Sequence, residues 1–340
     1  MDGDQHKRSV AVLGAGCWGT ALALQLARTG SRVQLWDKDA SLIATLATDR
    51  VNRQSVPGIE LPRTIVPVAD IEQAVAGVDL VVLAIASIGF RPTLQALADA
   101  QIRNPLRVVW ATKGLEPQTG KFLHQVVAET LPGVQATAVI SGPSFALEVA
   151  RQLPTALTAA SDDAPFAAEV AARFHSRHFR VYTSDDVAGV ELGGAVKNVL
   201  AIAAGVADGL GFGANSRAAL ITRGLAEIMR LGLALGGRRE TFMGLAGVGD
   251  LVLTCTDNQS RNRRLGLALG QGKALDAAVC EIGQAVEGVH TAREVLQLAR
   301  RHQVEMPISE QVEGILYRGV SPRAAVETLM TRDQKAEWSA

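Results

Sequence analysis

Cysteine is scarce in this chain: 340 residues carry three, Cys17, Cys255 and Cys280. An odd number, with no C-x-x-C pair and no paired histidines nearby, argues against both a disulfide framework and a zinc site. Net charge is lacking too, because 34 basic and 34 acidic residues cancel. No global field therefore favours nucleic acid or an anionic membrane. No run of 18 apolar residues, internal repeat or low-complexity linker is apparent. The N-terminus, Met1 to Arg8, is polar and lacks the apolar core of a signal peptide. These absences point to a soluble, cytoplasmic protein without a membrane span, and the length suits two domains of ordinary size.

What is present begins with Gly14-Ala15-Gly16-Cys17-Trp18-Gly19, set between a short apolar strand, residues 9–13, and an apolar helical run, Thr20 to Arg28. Gly14 permits a tight turn, Gly16 lets backbone approach a pyrophosphate, and Gly19 allows close packing of helix on strand. The helix N-terminus adds free N–H groups and a partial positive charge. A second strand, residues 32–36, ends at Asp37, 18 residues past Gly19, where an acid accepts hydrogen bonds from an adenosine ribose. Strand, turn, helix and acid in this order predict dinucleotide binding.

Further strands are expected at 64–68, 79–85, 107–112, 136–140, 155–160 and 179–183, with helical patterns such as Ser41–Ala47, Pro92–Ala100 and Gly120–Thr130 between them. Residues 79–85 are apolar on both strand faces, as a central parallel strand should be. The alternation predicts a Rossmann-type doubly wound α/β sheet with its ligand crevice at the carboxyl ends of the strands. After about residue 188 the strand signal stops and helices follow: Val190–Ala207, Ser216–Leu235, Ser260–Leu269, His290–His302, Pro307–Tyr317 and Pro322–Met330. The reading is two domains, 1–188 for the nucleotide and 189–340 all-α for substrate, packed around a shared cleft.

Several polar residues stand in costly places. In Gly193-Gly194-Ala195-Val196-Lys197-Asn198, helical spacing puts Gly193, Gly194, Ala201 and Ala204 on the side of Lys197 and suggests open space around it. Lys197 is either a proton donor and acceptor in a substrate cavity or a lysine that snorkels to solvent. Lys113 follows an inner strand at its carboxyl end. Ser144, in Ser141-Gly142-Pro143-Ser144, is a hydroxyl at a crevice lip or a helix cap. Asp250, after Gly247-Val248-Gly249, orients a lysine or caps a helix. Ser260-Arg261-Asn262 opens a helix with hydroxyl, guanidinium and amide groups, a suitable phosphate clamp. Arg263 and Arg264 read equally well as a solvated basic turn.

These blocks together resemble the bacterial NAD(P)-dependent glycerol-3-phosphate dehydrogenases, from Gly14 to about Met330. The motifs that carry the resemblance are Gly14-Ala15-Gly16-x-x-Gly19-Thr20-Ala21, Trp110-Ala111-Thr112-Lys113-Gly114, Ser141-Gly142-Pro143-Ser144-Phe145-Ala146, Gly194-Ala195-Val196-Lys197-Asn198, Gly249-Asp250-Leu251 and Ser260-Arg261-Asn262. The resemblance implies reversible hydride transfer between sn-glycerol 3-phosphate and dihydroxyacetone phosphate with NAD or NADP, supplying glycerol 3-phosphate for phospholipid synthesis. It also implies a 6-phosphogluconate-dehydrogenase-like architecture and a homodimer. By analogy Lys197 is the proton acceptor, and Lys113, Gly142, Ser144, Asp250, Ser260, Arg261 and Asn262 line the substrate site. Cys17, Trp18, Lys38, Lys113, Ala146, Arg261, Ala285 and Glu287 fall at cofactor-contacting positions. Asn198 and Thr254 match positions that aid substrate binding in related eukaryotic enzymes. Cys17 stands where serine is commoner, and Ala84-Ile85-Ala86-Ser87 lacks a proline that members often carry. The alternative is another β-hydroxyacid or 6-phosphogluconate-type dehydrogenase, which should lack the Lys113 and Ser260-Arg261-Asn262 blocks. A non-catalytic nucleotide sensor would need no buried lysine.

Overall fold

The computed structural model describes residues 9–100, 106–334 and 336–337; the polar Met1–Arg8 stretch lies outside the described residues. Strands β1 (Ser9–Leu13), β2 (Arg32–Trp36), β3 (Ile65–Val68), β4 (Leu80–Leu83), β5 (Arg107–Trp110), β6 (Ala136–Ser141), β7 (Thr155–Ala160) and β8 (Phe179–Ser184) form one sheet. Helices α1 (Cys17–Arg28), α2 (Ala40–Asp49), α3 (Ile71–Val75), α4 (Ser87–Asp99), α5 (Leu123–Thr130), α6 (Ala146–Ala150) and α7 (Ala164–Phe174) alternate with them. The strand order is β3-β2-β1-β4-β5-β6-β7-β8. Its first six strands have the doubly wound arrangement of a dinucleotide-binding sheet. Register brings Leu13 level with Trp36 and Leu83, and Leu83 level with Trp110. The strands therefore end together, and Gly14, Asp37, Ala84 and Ala111 start the loops of one crevice.

Alternation along the strands divides the core in two. Val10, Val12, Val82 and Val109 join one cluster, while Ala11, Leu13, Val81 and Trp110 join the cluster on the opposite face. The doubly wound expectation changes at one place: β6 and β7 are antiparallel, and β8 runs parallel to β7. The link from β6 to β7, residues 142–154, holds only the five-residue helix α6 instead of a full crossover helix, and the chain turns back. The expected helix at Pro92 instead starts at Ser87, with Pro92 inside it. The i→i−4 bond that Pro92 omits would have gone to Ile88, which is exposed.

The second half is helical: α8 (Val187–Gly209), α9 (Ala214–Ala234), α10 (Arg239–Phe242), a π-helical turn (Leu245–Gly249), α11 (Asp250–Thr256), α12 (Arg261–Gly270), α13 (Leu275–Ile282), α14 (Glu287–Arg301), α15 (Pro307–Tyr317) and α16 (Pro322–Met330). Its core gathers around α8, which is buried almost all round by α9, α11, α12 and α14. By length and mean composition α8 is apolar enough to cross a membrane, although polar residues interrupt it so that it is no continuous apolar run. Protein covers 94% of its most apolar stretch, and it carries Glu191, Lys197 and Asn198 inward.

Candidate active site

At the carboxyl edge of the sheet, the glycine turn takes the shape its sequence requires. Gly14 has φ +110°, and a Cβ there would lie 2.5 Å from Ala84 O. A Cβ on Gly19 would lie 1.7 Å from Gly14 O. Gly16 is exposed, and a Cβ on it would meet nothing within 4 Å. Among the described residues, the N–H groups of Gly16, Cys17 and Trp18 find no acceptor, and the buried indole Nε1 of Trp18 has no partner. This open cradle of unpaired donors at a helix N-terminus fits a dinucleotide pyrophosphate.

Asp37 is already engaged. Its Oδ2 accepts the Ala15 N–H at 2.7 Å and its Oδ1 accepts the Asp39 N–H at 3.0 Å. Each oxygen keeps one lone-pair direction for a ribose hydroxyl. Lys38 beside it is exposed, and Arg53 pairs with Asp49 on the surface. The helical half reaches this end of the crevice at two points. Cys17 Sγ donates to Oε1 of Gln284, the neighbour of exposed Ala285, at 3.7 Å. Glu287 accepts from Ser87 N at 3.0 Å and from Ser87 Oγ at 2.6 Å, so an acid of α14 caps α4. Burial pushes the Glu287 carboxyl up, against the pull of those two hydrogen bonds. Ser87 and Gln284 carry no sequence signal as a domain contact, because each partner lies in the other half of the chain.

The centre of the cleft holds three charges. Lys113 Nζ donates to Asp250 Oδ2 at 2.7 Å, and Lys197 Nζ donates to Asp250 Oδ1. Two ammonium groups, one from the loop after β5 and one from α8, thus meet at the two oxygens of a single carboxylate. Asp250 is 1% exposed and Lys197 7%. Lys197 therefore does not snorkel to solvent. Burial pushes the Lys197 amine down to about 8; Asp250 pulls it up and Lys113 pushes it down. Lys113 donates also to Gly142 O at 2.8 Å and to Ser144 Oγ at 3.5 Å, so all three of its donors are occupied. Gly142 has φ +140°, a conformation that a side chain rarely tolerates. Lys197 has one partner among the described residues and two free donor directions.

One expectation from the sequence fails here, and two open alternatives are decided. The space suggested by Gly193 and Gly194 is filled: a Cβ on Gly193 would lie 2.4 Å from Ala246 O, and one on Gly194 2.8 Å from Ser141 Oγ. The glycines let the π-helical turn and β6 press against α8. Ser144 does not cap α6; its hydroxyl donates to Gly142 O at 3.0 Å. Asp250 caps nothing and instead opens α11 directly after the π-helical turn, which aims its carboxylate at the lysines.

At the far end of the cleft, Ser260 caps α12 by accepting the Arg263 N–H at 3.2 Å, and it bonds Thr254 Oγ1 at 3.0 Å. The Asn262 amide is committed within the protein. It donates to Asn198 Oδ1 and accepts the Gly288 N–H, both at 2.9 Å, while Asn198 Nδ2 donates to Lys113 O at 3.0 Å. This chain of amides joins α14, α12 and α8 to the Lys113 loop. Arg261 is different: half-buried, it makes no hydrogen bond or salt bridge among the described residues, although its charge acts on the buried Glu287 carboxyl. The backbone N–H groups of Arg261 and Asn262 are likewise free. Arg263 is not a solvated basic residue. It is buried and bonds Cys255 O at 3.0 Å, Asn258 Oδ1 at 2.7 Å and Asp208 Oδ2 at 2.5 Å. Ala146 begins α6, half-buried beside the Ser144 turn.

Comparison with known proteins gives this geometry its context. The family model for the NAD-dependent glycerol-3-phosphate dehydrogenase N-terminus matches residues 9–167, and that for the C-terminus matches residues 186–327. The NAD(P)+ glycerol-3-phosphate dehydrogenase of Thioalkalivibrio sulfidiphilus is 58% identical over 97% of this chain and 98% of its own length. The like-named protein of Nitrosococcus oceani is 53% identical over 100% of this chain and 98% of its own. A crystal structure of glycerol-3-phosphate dehydrogenase from Coxiella burnetii superposes with a TM-score of 0.93 at 47% identity, covering 96% of this chain and 99% of that one. The chain belongs to the NAD(P)-dependent glycerol-3-phosphate dehydrogenase family.

Proposed function

We propose that the paired lysines carry proton transfer in reversible hydride exchange between sn-glycerol 3-phosphate and dihydroxyacetone phosphate. The observation behind this reading is the convergence of Lys113 and Lys197 on Asp250, in a cleft where Arg261 makes no hydrogen bond or salt bridge among the described residues. Bound NAD(P)(H) supplies or accepts the hydride. In the oxidation direction, neutral Lys197 takes the substrate hydroxyl proton; in reduction its ammonium returns that proton to the carbonyl oxygen. The free donor directions of Lys197 suit it to this task. Lys113 contributes positive charge toward the same oxygen, exchanging its long contact to Ser144 for the substrate. Asp250 holds both amines in place and keeps Lys197 from losing its proton altogether.

The substrate phosphate belongs at the α12 N-terminus, on the Arg261 guanidinium and the free N–H groups of Arg261 and Asn262. Asn262 then contributes its backbone while its side chain stays in the amide chain. The Gly14–Gly19 turn, Asp37 and Glu287 take the dinucleotide, with Cys17, Trp18, Lys38, Ala146 and Ala285 around it. Residues 1–188 and 189–340 form the nucleotide and substrate halves, a division supported by the end of the last strand at Ser184 and the start of α8 at Val187. A cytoplasmic homodimer feeding phospholipid synthesis completes the reading. The test is NADH oxidation followed by absorbance with dihydroxyacetone phosphate and other phosphorylated ketones. Turnover selective for dihydroxyacetone phosphate supports it; folded protein that binds NADH but leaves this substrate unreduced contradicts it.

A further inference from the structure

Asn52 stands three residues beyond α2 in no recognised motif, yet it is 1% exposed and packed against the glycine turn. Its Nδ2 donates to Ala15 O at 2.8 Å and to Thr20 Oγ1 at 2.9 Å. The Thr20 hydroxyl donates to the same Ala15 carbonyl at 3.1 Å, and Thr20 is fully buried. The Ala15 N–H is tied to Asp37. Asn52 is itself anchored, because its carbonyl accepts Ser55 N at 3.2 Å and Val56 N at 2.8 Å, and Val56 is buried.

The Ala15 carbonyl and the Gly16 N–H belong to one trans peptide, so they point in opposite directions. Holding the carbonyl toward buried Asn52 and Thr20 therefore aims the Gly16 N–H outward. Gly16 is the exposed residue with open space before it and an N–H without an acceptor among the described residues. Without the grip, the peptide is free to rotate and turn its carbonyl dipole toward an incoming anion.

We propose that Asn52 is a positioning residue for the dinucleotide: by gripping the Ala15 carbonyl it presets the Gly16 N–H toward the pyrophosphate. Binding then requires no reorientation of the turn. The inference rests on the dinucleotide reading of the crevice. It assigns Asn52 an action through Gly16 rather than any contact with the ligand.

The test titrates cofactor-free wild type, Asn52→Ala and Asn52→Asp with NADH and with NADPH by calorimetry, after circular dichroism confirms folding. Asn52→Asp keeps the side-chain volume but presents an acceptor to the carbonyl in place of a donor. Both variants are expected to raise Kd about tenfold, the size of one lost buried hydrogen bond. The factor should be the same for the two dinucleotides, because the pyrophosphate is common to both. In steady state the loss should fall on the NADH KM and leave the dihydroxyacetone phosphate KM within about twofold. Folded Asn52→Asp with a Kd near that of wild type would mean that Asn52 only fills space, and overturns the proposal. A loss confined to kcat does the same. Should both variants fail to fold, Thr20→Val removes the other donor to the same carbonyl. A rise of about threefold in Kd supports the proposal, and an unchanged Kd overturns it. Wild type that binds neither dinucleotide would instead defeat the underlying reading of the crevice.

Discussion

At the scale of single residues, the proposed chemistry turns on Lys197, whose amine burial pushes down to about 8. A free enzyme whose Lys197 titrates near 8 gives pH profiles of opposite slope in the two directions. For oxidation of glycerol 3-phosphate the neutral amine is needed, so kcat/KM rises with pH and levels off above about 8. For reduction the ammonium is needed, so kcat/KM is level at lower pH and falls above about 8. Asp250 raises the Lys197 pKa, so Asp250→Asn should move both inflections to lower pH; inflections that stay put or move upward argue against the assignment. Lys197→Ala should lower kcat by at least ~100-fold while NADH binding, measured by fluorescence, survives. The sequence makes Lys197, Lys113 and Asp250 visible one by one, because each is a polar residue in a glycine-rich or apolar setting. Their meeting is not visible, since Lys113 and Asp250 are 137 residues apart and nothing local records the contact. Nor could local spacing reveal that Asn262 bonds Asn198 instead of projecting into the cleft.

At the scale of elements, backbone contact positions the site. On α8, Gly205 and Gly209 face Gly266 and Gly270 of α12. A Cβ on Gly266 would lie 2.0 Å from Ile202 O, and one on Gly205 would lie 2.1 Å from Arg263 O. The helices therefore touch main chain to main chain, which brings the α12 N-terminus toward the face that carries Lys197. Gly266→Ala should cost about 2 kcal/mol or more in denaturant unfolding and raise the KM for dihydroxyacetone phosphate, as α12 is pushed off α8. A variant of unchanged stability and KM would separate this packing from the site. A second device is Glu227 of α9, 1% exposed, whose carboxylate accepts Ile308 N at 2.6 Å, Ser309 N at 3.1 Å and Ser309 Oγ at 2.9 Å, and so caps α15. Burial holds its pKa up despite these bonds. Glu227→Ala leaves three donors without a partner and should lower stability by about 3 kcal/mol with little change in kcat. Periodicity reveals the strands and the long helices, whose apolar spacing is local. It does not reveal the π-helical turn, the antiparallel β7 or the role of the paired glycines. Those depend on a neighbouring element of the fold.

At the scale of the whole molecule, each half supplies a part that is incomplete alone. The sheet provides the glycine turn and Lys113; the helices provide Lys197, Asp250 and Arg261. The alternation of strands and helices through the first half, and its replacement by helices alone after β8, are legible in the sequence, because both periodicities are local. Which side chains meet across the cleft is not legible in the sequence, because each contact joins residues far apart in the chain. If Arg261 grips phosphate, Arg261→Ala should reduce kcat/KM far more for dihydroxyacetone phosphate than for unphosphorylated dihydroxyacetone; equal losses would remove it from that role. If amines from the two halves act on one oxygen, a double-mutant cycle on kcat should show them strongly coupled. With Lys113→Met, Lys197→Met and the double variant compared at saturating substrates, groups that act as a unit give non-additive losses. The prediction is a double variant within about tenfold of Lys197→Met alone, whereas a loss equal to the product of the two single losses would show that the lysines work independently.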